Sequence, residues 1–257
     1  MGTELTLNIG TLYAFLLVLA RISGAFIYIP LPGIKAGPEI ARAVFAVSLT
    51  LVLFPRWPVI DPANVNIALL TGWMLAEAGL GLAVGLAVAF VTEGFQMGAQ
   101  IISLQAGYSF ATTIDPNSGA DSGVLLSVAQ LAAGLLFFAT GLDRQILLVF
   151  AQSLSTRPPG HFLVTQSMAN GLIQLGASIF TTGLRLVLPL MGLLLMVEIS
   201  LALLARLNAQ LHLMTLAFPI KMLLSLSLLG WLLLVFPKVF TQSSNLVLQW
   251  IRSMLLT

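Results

Sequence analysis

Two apolar runs dominate this chain, Ile67 to Leu104 and Met168 to Leu207, and each holds about 40 residues where a bilayer needs about 20. As straight helix such a run is about 60 Å long, against a hydrocarbon core of about 30 Å. Each run must therefore bend, fold back or project beyond the membrane. Gly79, Gly81, Gly85 and Gly94 are expected break points in the first, and Gly176, Gly183 and Pro189 in the second, where proline removes an N–H and clashes with the preceding turn.

The remaining apolar stretches are Ile9 to Leu31, Ala41 to Phe54, Val124 to Phe150 and Leu211 to Phe236 with a tail to Leu256; the second is too short to cross comfortably. With 58% hydrophobic and 8% charged residues and a mean hydropathy of +1.03, the chain is an all-α integral membrane protein of long bent helices and hairpins. Turn chemistry marks the connections at Pro30 to Ile40, Phe54 to Asn66, Leu104 to Leu125 and Ser155 to Phe162. None is long enough for a soluble domain. The region from about Met168 to the C-terminus forms a separable helical hairpin. Glu4 and the lack of a basic residue before Arg21 do not match a signal-peptide n-region, so the first apolar run is expected to be mature structure.

Several chemistries find no support. The 11 basic and 9 acidic residues are scattered, which gives no nucleic-acid surface, and there is no cysteine for thiolate metal or redox chemistry. His161 and His212 lie on different segments without ligand spacing, and Ser103, Ser109 and Ser127 lack a nucleophile elbow. The glycines of "GLGLAVG" do not have dinucleotide spacing; Gly81 and Gly85 instead form a small-xxx-small pair that lets another helix approach closely. No cofactor, metal or catalytic residue is expected.

Charges inside the apolar runs are the positive signal: Arg21, Glu77, Glu93, Asp143, Arg144, Arg185, Glu198, Arg206 and Lys221. Each costs about 2.5–3.5 kcal/mol at a bilayer centre on insertion scales, so it must face protein, water or headgroups. A lone chain has few partners to offer. Arg21, Glu77, Glu93, Arg185, Glu198, Arg206 and Lys221 are accordingly candidates for subunit contacts or buried charges. Snorkelling to an interface is the alternative for any single one.

The segment "LQAGYSFATTIDPNSGADSGVL" is neither a plain polar loop nor a spanning helix. Asp115, Pro116 and Gly119 are strong turn formers, and Gly107 is a second flexible point, while Tyr108, Phe110 and Ile114 are greasy. Irregular backbone at membrane depth is tolerated only inside protein or along a water-filled cavity. A surface loop and a loop at membrane depth both remain open on these grounds.

"GYSFATTIDPNSG", with "EGFQMGAQIISLQAG" before it and "LARISGAFIYIPLPG" near the N-terminus, resembles the flagellar biosynthesis protein R family (FliR), whose counterparts are T-type subunits of virulence secretion systems. "LLARLNAQLHLMTLAFPIKMLLSLSLLGW", with Pro219 and Lys221, is similar to the hairpin of the small Q subunit of the same apparatus. The resemblance implies a fusion-like chain, P-like over residues 1–167 and Q-like over 168–257. It further implies assembly with the P and Q subunits (FliP, FliQ) and the B subunit (FlhB) into a hetero-oligomeric gate for unfolded flagellar proteins. That gate lies in the bacterial inner membrane within the flagellar basal body and projects toward the periplasm. A loop at about residues 106–122 plugs its lumen, which makes Gly107, Tyr108, Phe110, Ile114, Asp115, Pro116 and Gly119 the gate candidates. The expected function is thus a noncatalytic subunit of the flagellar type III export gate. The alternatives are the equivalent injectisome subunit and a small-solute secondary transporter, which would favour paired broken helices around a midplane site.

Overall fold

In the computed structural model, residues 8–29, 39–108, 124–160, 165–207 and 213–256 are described. They form seven helices: α1 (Ile9–Phe26), α2 (Glu39–Val52), α3 (Ile67–Ala106), α4 (Val124–Ala139), α5 (Leu142–Thr156), α6 (Gln166–Leu207) and α7 (Leu213–Leu255). Short 3-10 turns at Phe54–Arg56 and Pro62–Asn64 link α2 to α3. No strand occurs among the described residues. Helices α1, α3, α6 and α7 are long and apolar enough to cross a membrane, with a fifth span if α4 and α5 count as one broken segment. Helix α2, with 14 residues, falls short.

The expected breaks do not occur. Helix α3 runs unbroken through its glycines and α6 through Pro189. Helix α7 passes both Pro219 and Pro237, joining the last apolar run and its tail into 43 residues. In an apolar medium every backbone group must be paired within the protein, so opening a helix forfeits several hydrogen bonds, whereas an internal proline forfeits one. The break the sequence run Val124 to Phe150 conceals is at Gly141, which takes φ +66 between α4 and α5. A side chain is disfavoured in that left-handed conformation.

The chain divides into two packing units that are interleaved in sequence: residues 1–90, 137–176 and 244–257 form one, and residues 91–136 and 177–243 the other. Helices α3, α4, α6 and α7 each contribute residues to both. The first unit is built on α1 and the first part of α3. Glu77, Leu80, Gly81, Val84, Gly85 and Val88 are buried at helical spacing along one stripe of α3. Gly81 and Gly85 lie so close to α1 that an added Cβ would overlap the carbonyl oxygens of Arg21 and Ala25. The same closeness holds from the other side, where a Cβ on Gly24 would come to 2.5 Å from the Ala78 carbonyl oxygen. Lipid gives helices no hydrophobic incentive to associate, so this backbone approach supplies the van der Waals contact instead.

The second unit contains the later part of α3 and most of α6 and α7. Helices α6 and α7 run antiparallel there, since Ile179, Gly183 and Val187 share a small apolar cleft with Phe240, Phe236 and Leu232. Gly94 and Gly98 of α3 touch Ile179 and Val187, and a Cβ on Gly183 would come to 2.7 Å from the Gly94 carbonyl oxygen. Phe95 stacks on Phe236 with ring centroids 3.4 Å apart.

Candidate functional site

The charges predicted to need partners fall into three groups. Arg21 of α1 and Glu77 of α3 are wholly buried in the first unit, and they pair with each other, Nε to Oε2 at 2.6 Å. The remaining polar atoms of the pair are met by the end of α5. Arg21 Nη1 donates to Ser153 Oγ at 3.0 Å and Nη2 to the Arg157 carbonyl at 3.1 Å, while Glu77 Oε1 accepts the Gly160 N–H at 3.0 Å. Ser153 Oγ in turn donates a hydrogen bond to the Phe150 carbonyl at 2.8 Å.

This arrangement corrects the expectation that a lone chain has few partners to offer. The carbonyls near the end of α5 have no partners within their helix, so they are available to a guanidinium. The turn that follows is shaped by Gly160, at φ +97 with the Trp73 ring beside it. Sequence reasoning singled out "STRPPGHF" as a loop and missed Ser153, Arg157 and Gly160 as partners. The available signal was that a buried guanidinium must satisfy donors on three nitrogens, which helix-end carbonyls and hydroxyls do best.

In the second unit, Lys221 Nζ lies 3.1 Å from Glu198 Oε2, with side-chain exposures of 11% and 49%. Lys221 therefore has an acidic partner in its own chain. Glu93, Arg185 and Arg206 form the third group; all are exposed.

Of the gate candidates, Gly107 and Tyr108 are described and close α3. Gly107 adopts φ +88; its N–H bonds to the Leu104 carbonyl at 3.2 Å and that of Tyr108 to the Ser103 carbonyl at 3.1 Å. This is the Schellman pattern, in which a left-handed glycine satisfies the last carbonyls of a helix. Tyr108 Oη then donates to the Met222 carbonyl at 3.0 Å, one turn beyond Pro219, and a Cβ on Gly107 would meet the Phe218 ring at 3.0 Å. The start of the turn-rich segment is thereby tied to α7. Phe110, Ile114, Asp115, Pro116 and Gly119 lie outside the described residues.

No group of three or more metal-ligating side chains occurs among the described residues. What the geometry offers is mechanical: a closed polar core in one unit, and in the other an anchored entry to a glycine-rich segment beside two long apolar helices.

A sequence model of the family described as "Bacterial export proteins, family 1" matches residues 12–247. The chain is 30% identical over 222 residues to the flagellar biosynthetic protein FliR of Escherichia coli (strain K12), covering 86% of this chain and 83% of that one. It is 28% identical to the FliR of Pectobacterium carotovorum subsp. carotovorum, over 88% of this chain and 84% of the relative. To the FliR of Bacillus subtilis (strain 168) it is 28% identical, over 84% of each.

Proposed function

The chain belongs to the bacterial export proteins, family 1, and from that membership we propose that it is a subunit of the flagellar type III export gate, helping to form and plug the channel for unfolded flagellar proteins. One observation carries this conclusion: the similarity to flagellar biosynthetic proteins FliR extends over more than four-fifths of both chains in distant bacteria. That similarity also favours the flagellar over the virulence-type apparatus.

The proposed partners are the P, Q and B subunits, with residues 1–167 playing a P-like and 168–257 a Q-like part at the inner membrane, projecting toward the periplasm. The exposed apolar surface of α6 supports such partners. Only 17% of its most apolar stretch is buried, against 50% in α3, so much of α6 is left for lipid or protein to cover. The plug is proposed to be the segment that begins at Gly107 and Tyr108, with Phe110 and Ile114 excluding water as hydrophobic constrictions do. Its anchorage on Met222 is consistent with a loop held at one end and displaced by cargo.

The test is co-expression with P-like and Q-like subunits, followed by conductance of the purified complex. The chain is expected to enter one large complex, and Phe110→Ala is expected to raise resting ion permeability without loss of assembly. A scaffold role would instead impair assembly and leave permeability unchanged. A monodisperse monomer that transports a small solute in liposomes would overturn the whole proposal.

A further inference from the structure

In the first unit a cavity of about 80 Å³ opens beside the start of α5. Its floor is Phe26, Phe137 and Ile146, all at most 4% exposed; its rim is Phe45 and Phe138, at 43% and 47%. Phe26 and Phe45 meet edge-on at 5.1 Å between centroids, and Phe137 and Phe138 at 5.4 Å. Among the described residues, one ionisable group lines this cavity, Asp143, and it is half-buried. Among the described residues it has neither a hydrogen bond nor an ion pair.

We propose that this pocket receives a lysine or arginine side chain from a neighbouring subunit of the export complex. The inference rests on the reading of the chain as a subunit of that complex. A carboxylate set among apolar residues of a membrane protein needs a partner, and the nearby cations among the described residues, Arg42 and Arg144, are otherwise placed. Arg42 spends Nη1 on the Ile27 carbonyl at 3.3 Å. Arg144 is exposed and lies about 100° around α5 from its neighbour.

The pocket's two chemistries specify its occupant together. Phenyl faces attract a cation through the ring quadrupole and also cover an aliphatic stem. The carboxylate adds a charge-assisted hydrogen bond to the tip. A purely apolar side chain would fill the space but seal Asp143 in without a partner, which is costly. Asp143 also lies in the first turn of α5, where the helix dipole favours an acid. That role accounts for the carboxylate and does not call for four phenyl rings around a cavity.

The test uses the purified multi-subunit complex with a benzophenone amino acid replacing Phe138, and mass spectrometry of the photocross-linked peptides. Attachment is expected on another subunit within about one helical turn, or four residues, of a lysine or arginine. Asp143→Arg is expected to reduce co-purification with that subunit about tenfold, and changing the identified cation to aspartate to restore it. The cross-link is read on a chain that keeps Asp143, so it decides the matter even if Asp143→Arg fails to fold. Attachment only to lipid, to this chain itself or to a peptide without a cation overturns the pocket, as does normal assembly of Asp143→Arg. An intact complex with such results leaves the proposed function standing. Failure of the unaltered chain to assemble with other subunits overturns both.

Discussion

Arg21–Glu77 of the first packing unit and Lys221–Glu198 of the second are both ion pairs, and the two differ in almost every respect. Arg21 and Glu77 are fully buried, 2.6 Å apart, with every nitrogen of the guanidinium bonded. Lys221 and Glu198 are 3.1 Å apart, and the glutamate is half exposed. The first pair is closed by α1, α3 and α5 of one unit and leaves little for a partner to add. The second lies between two helices whose apolar side chains, among them Leu195, Ile199, Ile220 and Leu223, face outward. In water that surface would be an aggregation hazard; in a membrane or an assembly it is a contact surface waiting for lipid or protein. The first unit thus closes its buried pair from within, while the pair of the second is left half open to its surroundings.

The largest effect is expected from breaking the closed pair. Glu77→Gln leaves Arg21 buried without a counter-charge, and the expected loss of stability is about 3–5 kcal/mol, read from unfolding of the detergent-solubilised chain. The double change Arg21→Met with Glu77→Met should recover most of it. Single variants as stable as the unaltered chain would mean that water reaches the site. A smaller effect is expected at the α1–α3 crossing, where Gly81→Val forces the backbones apart at about 1–3 kcal/mol. Gly79 has nothing within 4 Å of an added Cβ, so Gly79→Ala in the same assay should be neutral or gain up to about 1 kcal/mol of helix propensity. Equal responses at positions 79 and 81 would remove the close crossing. The smallest effect belongs to the open pair: Lys221→Met should shift the stability of the isolated chain by less than about 1 kcal/mol, since partly exposed pairs are weak. A loss as large as that of Glu77→Gln would erase the distinction between the units.

The contrast was only partly legible in the sequence. Gly81 and Gly85 were readable as a close-packing pair because small residues one turn apart have one main use in an apolar helix. The charges were readable as needing partners. Which ones find them inside the chain was not, because Arg21 and Glu77 are 56 residues apart, and Arg21 and Ser153 132. The prolines misled for a different reason. Proline disrupts a helix when water can take up the freed carbonyl, and in apolar surroundings the rest of the ladder holds α6 and α7 together across Pro189, Pro219 and Pro237. Gly107 was recognised as a flexible point; its role as the left-handed stop of α3 depended on the two hydrogen bonds that Gly107 and Tyr108 return to the helix end.

Helix and membrane class follow from the sequence by itself, because a backbone in hydrocarbon has few ways to satisfy its hydrogen bonds and a run of about 40 apolar residues admits essentially one of them. Local stops such as Gly107 follow nearly as directly. Tertiary structure alone decided that Arg21 and Glu77 pair with each other while Lys221 and Glu198 remain half open, that four phenylalanines from α1, α2 and α4 surround one cavity beside Asp143, and that the packing units cut across the chain order. The physical reason is that helix formation depends on residues within a turn or two, whereas partnering a charge depends on which helices meet, and that is set by small residues and turns far apart in the chain.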